Sequence, residues 1–211
     1  MKGNDVLDEL IIRIPALESC KEEIGLAAEA IAGCFENHGK LLLCGNGGSC
    51  ADADHMVGEL MKSFEKKRSL PEAFKKRLQA ASSERGAYLA EQLQAALPAI
   101  SLCSQGSLTT AISNDMGADL VFAQQVAGYG RKGDVLLAIS TSGNSRNVLD
   151  AAIAAKAQEM IVVGLTGQGG GKLKSFCDIT ICVPAENTAR GQEYHLPVYH
   201  TLCRIIENRF F

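Results

Sequence analysis

The sequence lacks any apolar run approaching the roughly 20 residues a membrane-spanning helix needs, although 46% of its 211 residues are hydrophobic. It also lacks an excess of basic charge. A net charge of −3 at pH 7 argues against a nucleic-acid-binding surface. The longest basic clusters, EKKR at 65–68 and FKKR at 74–77, are expected to form solvated helix faces. Eight cysteines, at 20, 34, 44, 50, 103, 177, 182 and 203, form no C-x-x-C pair, and most lie in apolar stretches such as LLLC and ITICV. Reduced thiols are therefore expected rather than a disulfide framework. The N-terminal MKGNDVLDELIIRIP carries acids and meets Pro15 too early to read as a signal peptide, so a cytoplasmic location is expected.

What is present is an alternation of helical and strand patterns, with a length and apolar content that suit one globular domain. Residues 6–37 have apolar positions at helical spacing, broken near Pro15. Short apolar runs follow at Lys40–Cys44, Ala99–Cys103, Val135–Ser140, Met160–Leu165 and Asp178–Val183. Helical patterns separate them: one starts with Ser49 or a neighbour as its cap and runs to about Phe64, and the last spans about Ala189 to Asn208. The alternation predicts an α/β fold, a doubly wound, flavodoxin-like parallel sheet of five strands flanked by helices. Residues 72–97 break the pattern. They are rich in Ala, Gln, Glu, Lys and Arg, are bracketed by Leu70-Pro71 and Leu97-Pro98, and read as a helical hairpin around SSERG, inserted within the domain.

The first strand runs into CGNGGSCADADH, residues 44–55. As a dinucleotide fingerprint this turn fails twice. Cys50 replaces the third glycine, and no acid ends the next strand to hold a ribose. A second turn, STSGNS at 140–145, follows another strand and places four hydroxyls at a predicted helix start. Hydroxyls and backbone N–H groups there form a neutral anion cradle, favoured by the helix dipole. His55 and Glu59, four apart on the first of these helices, project from one face, a spacing that suits a shared divalent metal or proton transfer. The stretch ENTARGQEYHLPVYH, 186–200, offers Gln192, Glu193, His195 and His200. Gln192 shares a face with His195 and lies about 80° from His200 around an ideal helix, so spacing does not choose among them.

The ordered set GNGGS-x5-H-x3-E, Asn114-Asp115, STSGNS and ENTAR-x-QE with a late histidine resembles the sugar isomerase (SIS) superfamily, and within it the phosphoheptose isomerases. The resemblance spans nearly the whole chain except 72–97. It implies conversion of sedoheptulose 7-phosphate to D-glycero-D-manno-heptose 7-phosphate, a bound zinc ion and a homotetramer. It further implies substrate contacts from Asn46, Gly47, Gly48, Ser49, Glu59, Asn114, Asp115 and Gln192, with Ser140, Thr141, Ser142 and Ser145 as the phosphate loop. Glu59 and His200 match the acid–base pair, and His55, Glu59, Gln192 and His200 match the zinc ligands. His195 is then a neighbour. Gly191, where family members usually carry an aliphatic residue, and Pro197 depart from the pattern. A non-catalytic sugar-phosphate sensor or adaptor, resembling the DnaA initiator-associating protein, and an isomerase of another phosphosugar are the alternatives. An adaptor of that kind lacks the complete acid–base and metal set.

Overall fold

A computed structural model describes residues 3–211. Five strands, β1 (Leu41–Gly45), β2 (Ala99–Ser101), β3 (Val135–Ser140), β4 (Ile161–Thr166) and β5 (Ile179–Cys182), form one parallel sheet in the order β2-β1-β3-β4-β5. The helices are α1 (Gly3–Arg13), α2 (Lys21–Glu36), α3 (Gly48–Met61), α4 (Glu72–Ala81), α5 (Ser83–Gln92), α6 (Gly106–Asp115), α7 (Val121–Tyr129), α8 (Arg146–Ala157) and α9 (Thr188–Phe210). Pro15 opens a short 3-10 turn between α1 and α2, because its fixed φ and missing N–H suit a helix start and not an interior.

Strand period two divides the core between the faces of the sheet. Leu41, Leu43, Val135, Leu137 and Ile139 pack on one side with residues of α1, α2, α3 and α9. Leu42, Cys44, Leu136 and Ala138 pack on the other with α6, α7 and α8. With both faces covered, β1 and β3 are apolar along their length, as a buried parallel sheet requires. The first strand pairs with β2 on one side and β3 on the other, and the crossovers leave it in opposite directions. That switch point lies at the carboxyl ends of β1 and β3, where open α/β sheets bind ligands.

The inserted segment forms α4 and α5, and no residue of α4 is buried. The turn falls at Ser82, within SSERG as expected, and Ser82 caps α5 by accepting from the Arg85 N–H. Gly86 lies inside α5, where an added β carbon would stand 1.9 Å from the Leu78 carbonyl oxygen, so its absent side chain lets the two helices touch. Ser69 pairs with Gln94 as an antiparallel bridge, and the Ala95 N–H donates to the Arg68 carbonyl. These residues form a stalk through which the hairpin leaves and re-enters the domain.

One expectation needs correction. EKKR is not a solvated helix face: it follows the end of α3, and Arg68 is buried with its side chain 0% exposed, paired with Glu207. Of the expected caps, Ser49 or a neighbour, a neighbour serves α3. The N-cap is Gly47, at φ 56°, a left-handed value that a glycine adopts freely, and Ser49 is buried in the first turn. All eight cysteines are free thiols.

Candidate active site

Three chain segments meet at the switch point. Asn46, in the turn after β1, and Asn147, at the start of α8, exchange two amide hydrogen bonds of 2.8 and 2.9 Å. This reciprocal pair ties the two glycine turns together. In the second turn the Ser140 and Ser145 hydroxyls lie 3.2 Å apart, and the Ser142 hydroxyl accepts from the Asn144 N–H. Ser145 occupies the N-cap of α8, but its side chain makes no cap hydrogen bond; its hydroxyl turns to Ser140. The third segment is the first turn of α9. The hydroxyls of Thr141 and Thr188 are 3.5 Å apart. A β carbon at Gly48 would lie 2.2 Å from Nε2 of Gln192, so the Gln192 amide rests on the backbone that starts α3. Two helix N-termini and several hydroxyls thus face one small region, a neutral setting for a phosphomonoester.

Gly191 has a local reason. A β carbon there would sit 3.2 Å from Cγ2 of Thr141, so an aliphatic residue would press on the second turn. Helix α9 runs unbroken through Pro197, whose missing N–H leaves the Glu193 carbonyl without its usual helical partner.

Further along, α3 and α9 run side by side and bring together a second group of residues. His55 Nε2 lies 3.2 Å from Oε1 of Glu59, and Lys62 Nζ lies 3.1 Å from its Oε2. The His55 and His200 rings meet edge to face with centroids 5.0 Å apart, and Phe64 covers His200 at 5.3 Å. Nε2 of His200 is buried and has no hydrogen-bond partner. Burial and the neighbouring His55 push its pKa below the ordinary imidazole value. On its other nitrogen, Nδ1, His55 meets the Tyr199 hydroxyl at 2.9 Å. Tyr199 also approaches Asp52, whose Oδ2 is buried without a hydrogen-bond partner; burial raises the Asp52 pKa and the nearby Tyr199 opposes that rise. Asp52, Tyr199 and Asn147 escaped the sequence reading. Asp52 was within reach, since 52, 55 and 59 share one helical face. The pairing of Asn147 with a residue 101 positions away leaves no local signal.

The remaining candidates lie as follows. Asn114 and Asp115 end α6, exposed and bonded to each other at 2.8 Å. Ser113, just before them, lines a cleft of about 310 Å³ that also reaches Asn46, Gly47 and Asn147. His195 is fully buried, and neither ring nitrogen has a well-formed hydrogen bond, although the Thr166 backbone approaches it. Burial lowers its pKa to about 4. Gln192 stands apart from the imidazole pair: eight residues of helix separate it from His200, about 12 Å along the axis. Among the described residues, no three His, Cys, Asp or Glu side chains converge closely enough to hold a metal within one chain.

Comparison with known proteins shows the family and the fold. The SIS domain family model matches residues 8–95 and 80–167. A phosphoheptose isomerase from Campylobacter jejuni is 40% identical over 193 residues, which cover 92% of this chain and 90% of that protein. The structure of a phosphoheptose isomerase from Francisella tularensis aligns with a TM-score of 0.77 at 35% identity, over 97% of this chain and 96% of the other. That from Neisseria gonorrhoeae aligns with a TM-score of 0.73 at 36% identity, over 97% and 98%. The chain belongs to the SIS-domain family of phosphoheptose isomerases.

Proposed function

We propose that this isomerase converts sedoheptulose 7-phosphate to D-glycero-D-manno-heptose 7-phosphate, the entry to nucleotide-activated heptose. The observation that carries this reading is the placement of Glu59 and His200 on adjacent helices, with α3 starting at one of the two glycine turns. The turns hold the phosphate through backbone N–H groups and the hydroxyls of Ser140, Thr141, Ser142 and Ser145. They fix one end of an extended sugar and leave the other end to reach down α3 toward Glu59.

Aldose–ketose interconversion moves one proton between C1 and C2 and another between O1 and O2, through an enediolate. Glu59 carries the carbon-bound proton. His200, whose neutral form burial favours, carries the oxygen-bound one. The Phe64 ring packs on that imidazole, which limits its exchange with bulk water and favours transfer to the sugar.

Zinc is part of the proposal. The donor types fit: His55 and Glu59 are in contact, and His200 presents a buried nitrogen lacking any partner. As they stand these three side chains do not converge closely enough to hold an ion, so binding would require them to draw together, and a divalent ion so held would polarise the sugar oxygens. Gln192, about 12 Å along α9 from His200, lies outside this group within one chain. A tetramer acting in the cytoplasm is proposed on the family resemblance.

Incubating the purified chain with sedoheptulose 7-phosphate, with and without added zinc, and following the aldose product by NMR tests the reading. Formation of the heptose supports it. No turnover under either condition rejects the substrate and leaves another phosphosugar, or a sensor role, as the alternative.

A further inference from the structure

Arg68 ends a cluster of four consecutive charges, yet its guanidinium is fully enclosed and the carboxylate facing it, Glu207, is 1% exposed. All three guanidinium nitrogens donate. Nε reaches Oε1 of Glu207 at 2.8 Å, Nη1 the Leu60 carbonyl at 2.7 Å, and Nη2 the Glu59 carbonyl at 2.9 Å. The last carbonyls of a helix have no intrahelical partner, so Arg68 caps α3 on the peptide that carries the Glu59 side chain. Glu207 also accepts from the N–H groups of Phe64, Glu65 and Lys66 at 3.0, 2.9 and 3.2 Å. It thereby fixes the loop holding Phe64 over His200. Glu207 lies seven residues beyond His200 on α9, two turns along nearly the same face. The Phe211 ring closes the far side, 5.0 Å from the guanidinium carbon.

We propose that Arg68 and Glu207 are positioning residues that set the Glu59 carboxylate and the His200 imidazole relative to each other. The proposal rests on the isomerase reading, in which those two groups move the protons. One buried ion pair touches the backbone under the carboxylate, the loop over the imidazole and the helix bearing it. A fork with three donors does what no single ammonium can, because it holds two carbonyls and a carboxylate in fixed directions. A shift of about 1 Å in such a pair costs on the order of 100-fold in rate while leaving phosphate binding alone.

The test compares full-length wild type, Arg68→Lys, Glu207→Gln and, as a control for lost stability, Val162→Ala on the opposite core face. Each is measured for Tm, kcat, KM and the imidazole ¹H–¹⁵N spectrum, which four histidines make assignable. Arg68→Lys is expected to lose kcat on the order of 100-fold with KM within about twofold, and to shift the His55 and His200 signals. Glu207→Gln, which keeps an acceptor for the loop N–H groups, shows the same pattern more weakly and serves if Arg68→Lys does not fold. Val162→Ala lowers Tm without either change. If kcat in the pair variants falls no further than in Val162→Ala at matched Tm, or the His55 and His200 signals stay in place, the pair is a structural brace only. Should wild type show no turnover, the isomerase reading fails by itself, and the imidazole spectra still decide whether the pair positions these groups.

Discussion

The backbone N–H of Leu97 donates to the carbonyl of Leu60 at 3.0 Å, so the chain returns after the hairpin to the turn of α3 from which it departed. The intervening segment is therefore an outgrowth from a closed point in the domain. Deleting 71–92 and joining Leu70 to Leu93 is expected to leave Tm close to wild type and to lower the circular dichroism signal only by the helix removed, because α4 buries no residue and α5 only Gly86 and Ala90. Activity or solution mass should change, since the hairpin's stalk begins at Arg68. Unchanged kinetics together with unchanged mass would remove any role for it as a lid or subunit contact.

Asn147 gives a prediction about substrate affinity. Its amide holds Asn46 through both of their side-chain hydrogen bonds. Asn147→Ala frees the first glycine turn and leaves an amide unpaired, a loss of about 1 kcal/mol or more. KM for the phosphosugar should rise about tenfold with kcat little altered. Steady-state kinetics over a range of substrate concentrations checks this. A fall in kcat at constant KM would place Asn147 in the chemistry instead.

His195 predicts a pH dependence of stability. Burial lowers its folded pKa to about 4 from an ordinary 6.5, so below 6.5 the unfolded chain binds the proton more readily. Stability from this residue is complete above about pH 6.5 and is lost as pH falls toward 4, by about 3 kcal/mol in total. Urea titrations at pH 7 and pH 4.5 measure the loss, and His195→Gln should flatten much of that slope. Equal slopes for wild type and variant would show that other groups carry it.

Zinc supplies a prediction separate from turnover. A chelator-treated sample should take up zinc, and His55→Ala and His200→Ala should weaken the uptake by on the order of tenfold or more. Isothermal calorimetry on the assembled protein reads this directly. Identical affinities in all three proteins would move the metal elsewhere.

The architecture was legible because buried parallel strands are short apolar runs and their helices carry the 3.6 period. Even the insertion announced itself through Leu70-Pro71 and Leu97-Pro98. Local features that depend on distant partners were not legible. Arg68 looks like one more surface charge, and only the carboxylate 139 positions later turns it into a buried pair. Nothing local to Gly86 shows the approach of Leu78 that its missing side chain allows. At the site, helical spacing put His55 beside Glu59, while the position of α9 against α3, which decides what His200 and Gln192 reach, is a matter of tertiary packing.

The most direct measurement is kcat of Glu59→Gln against wild type with sedoheptulose 7-phosphate. The substitution keeps the shape of the side chain and removes its basicity. The account predicts heptose formation by wild type and a loss of 10²–10⁴-fold in the variant, the range of a general base, with a folded, equally assembled protein. Turnover by Glu59→Gln at the wild-type rate would contradict it.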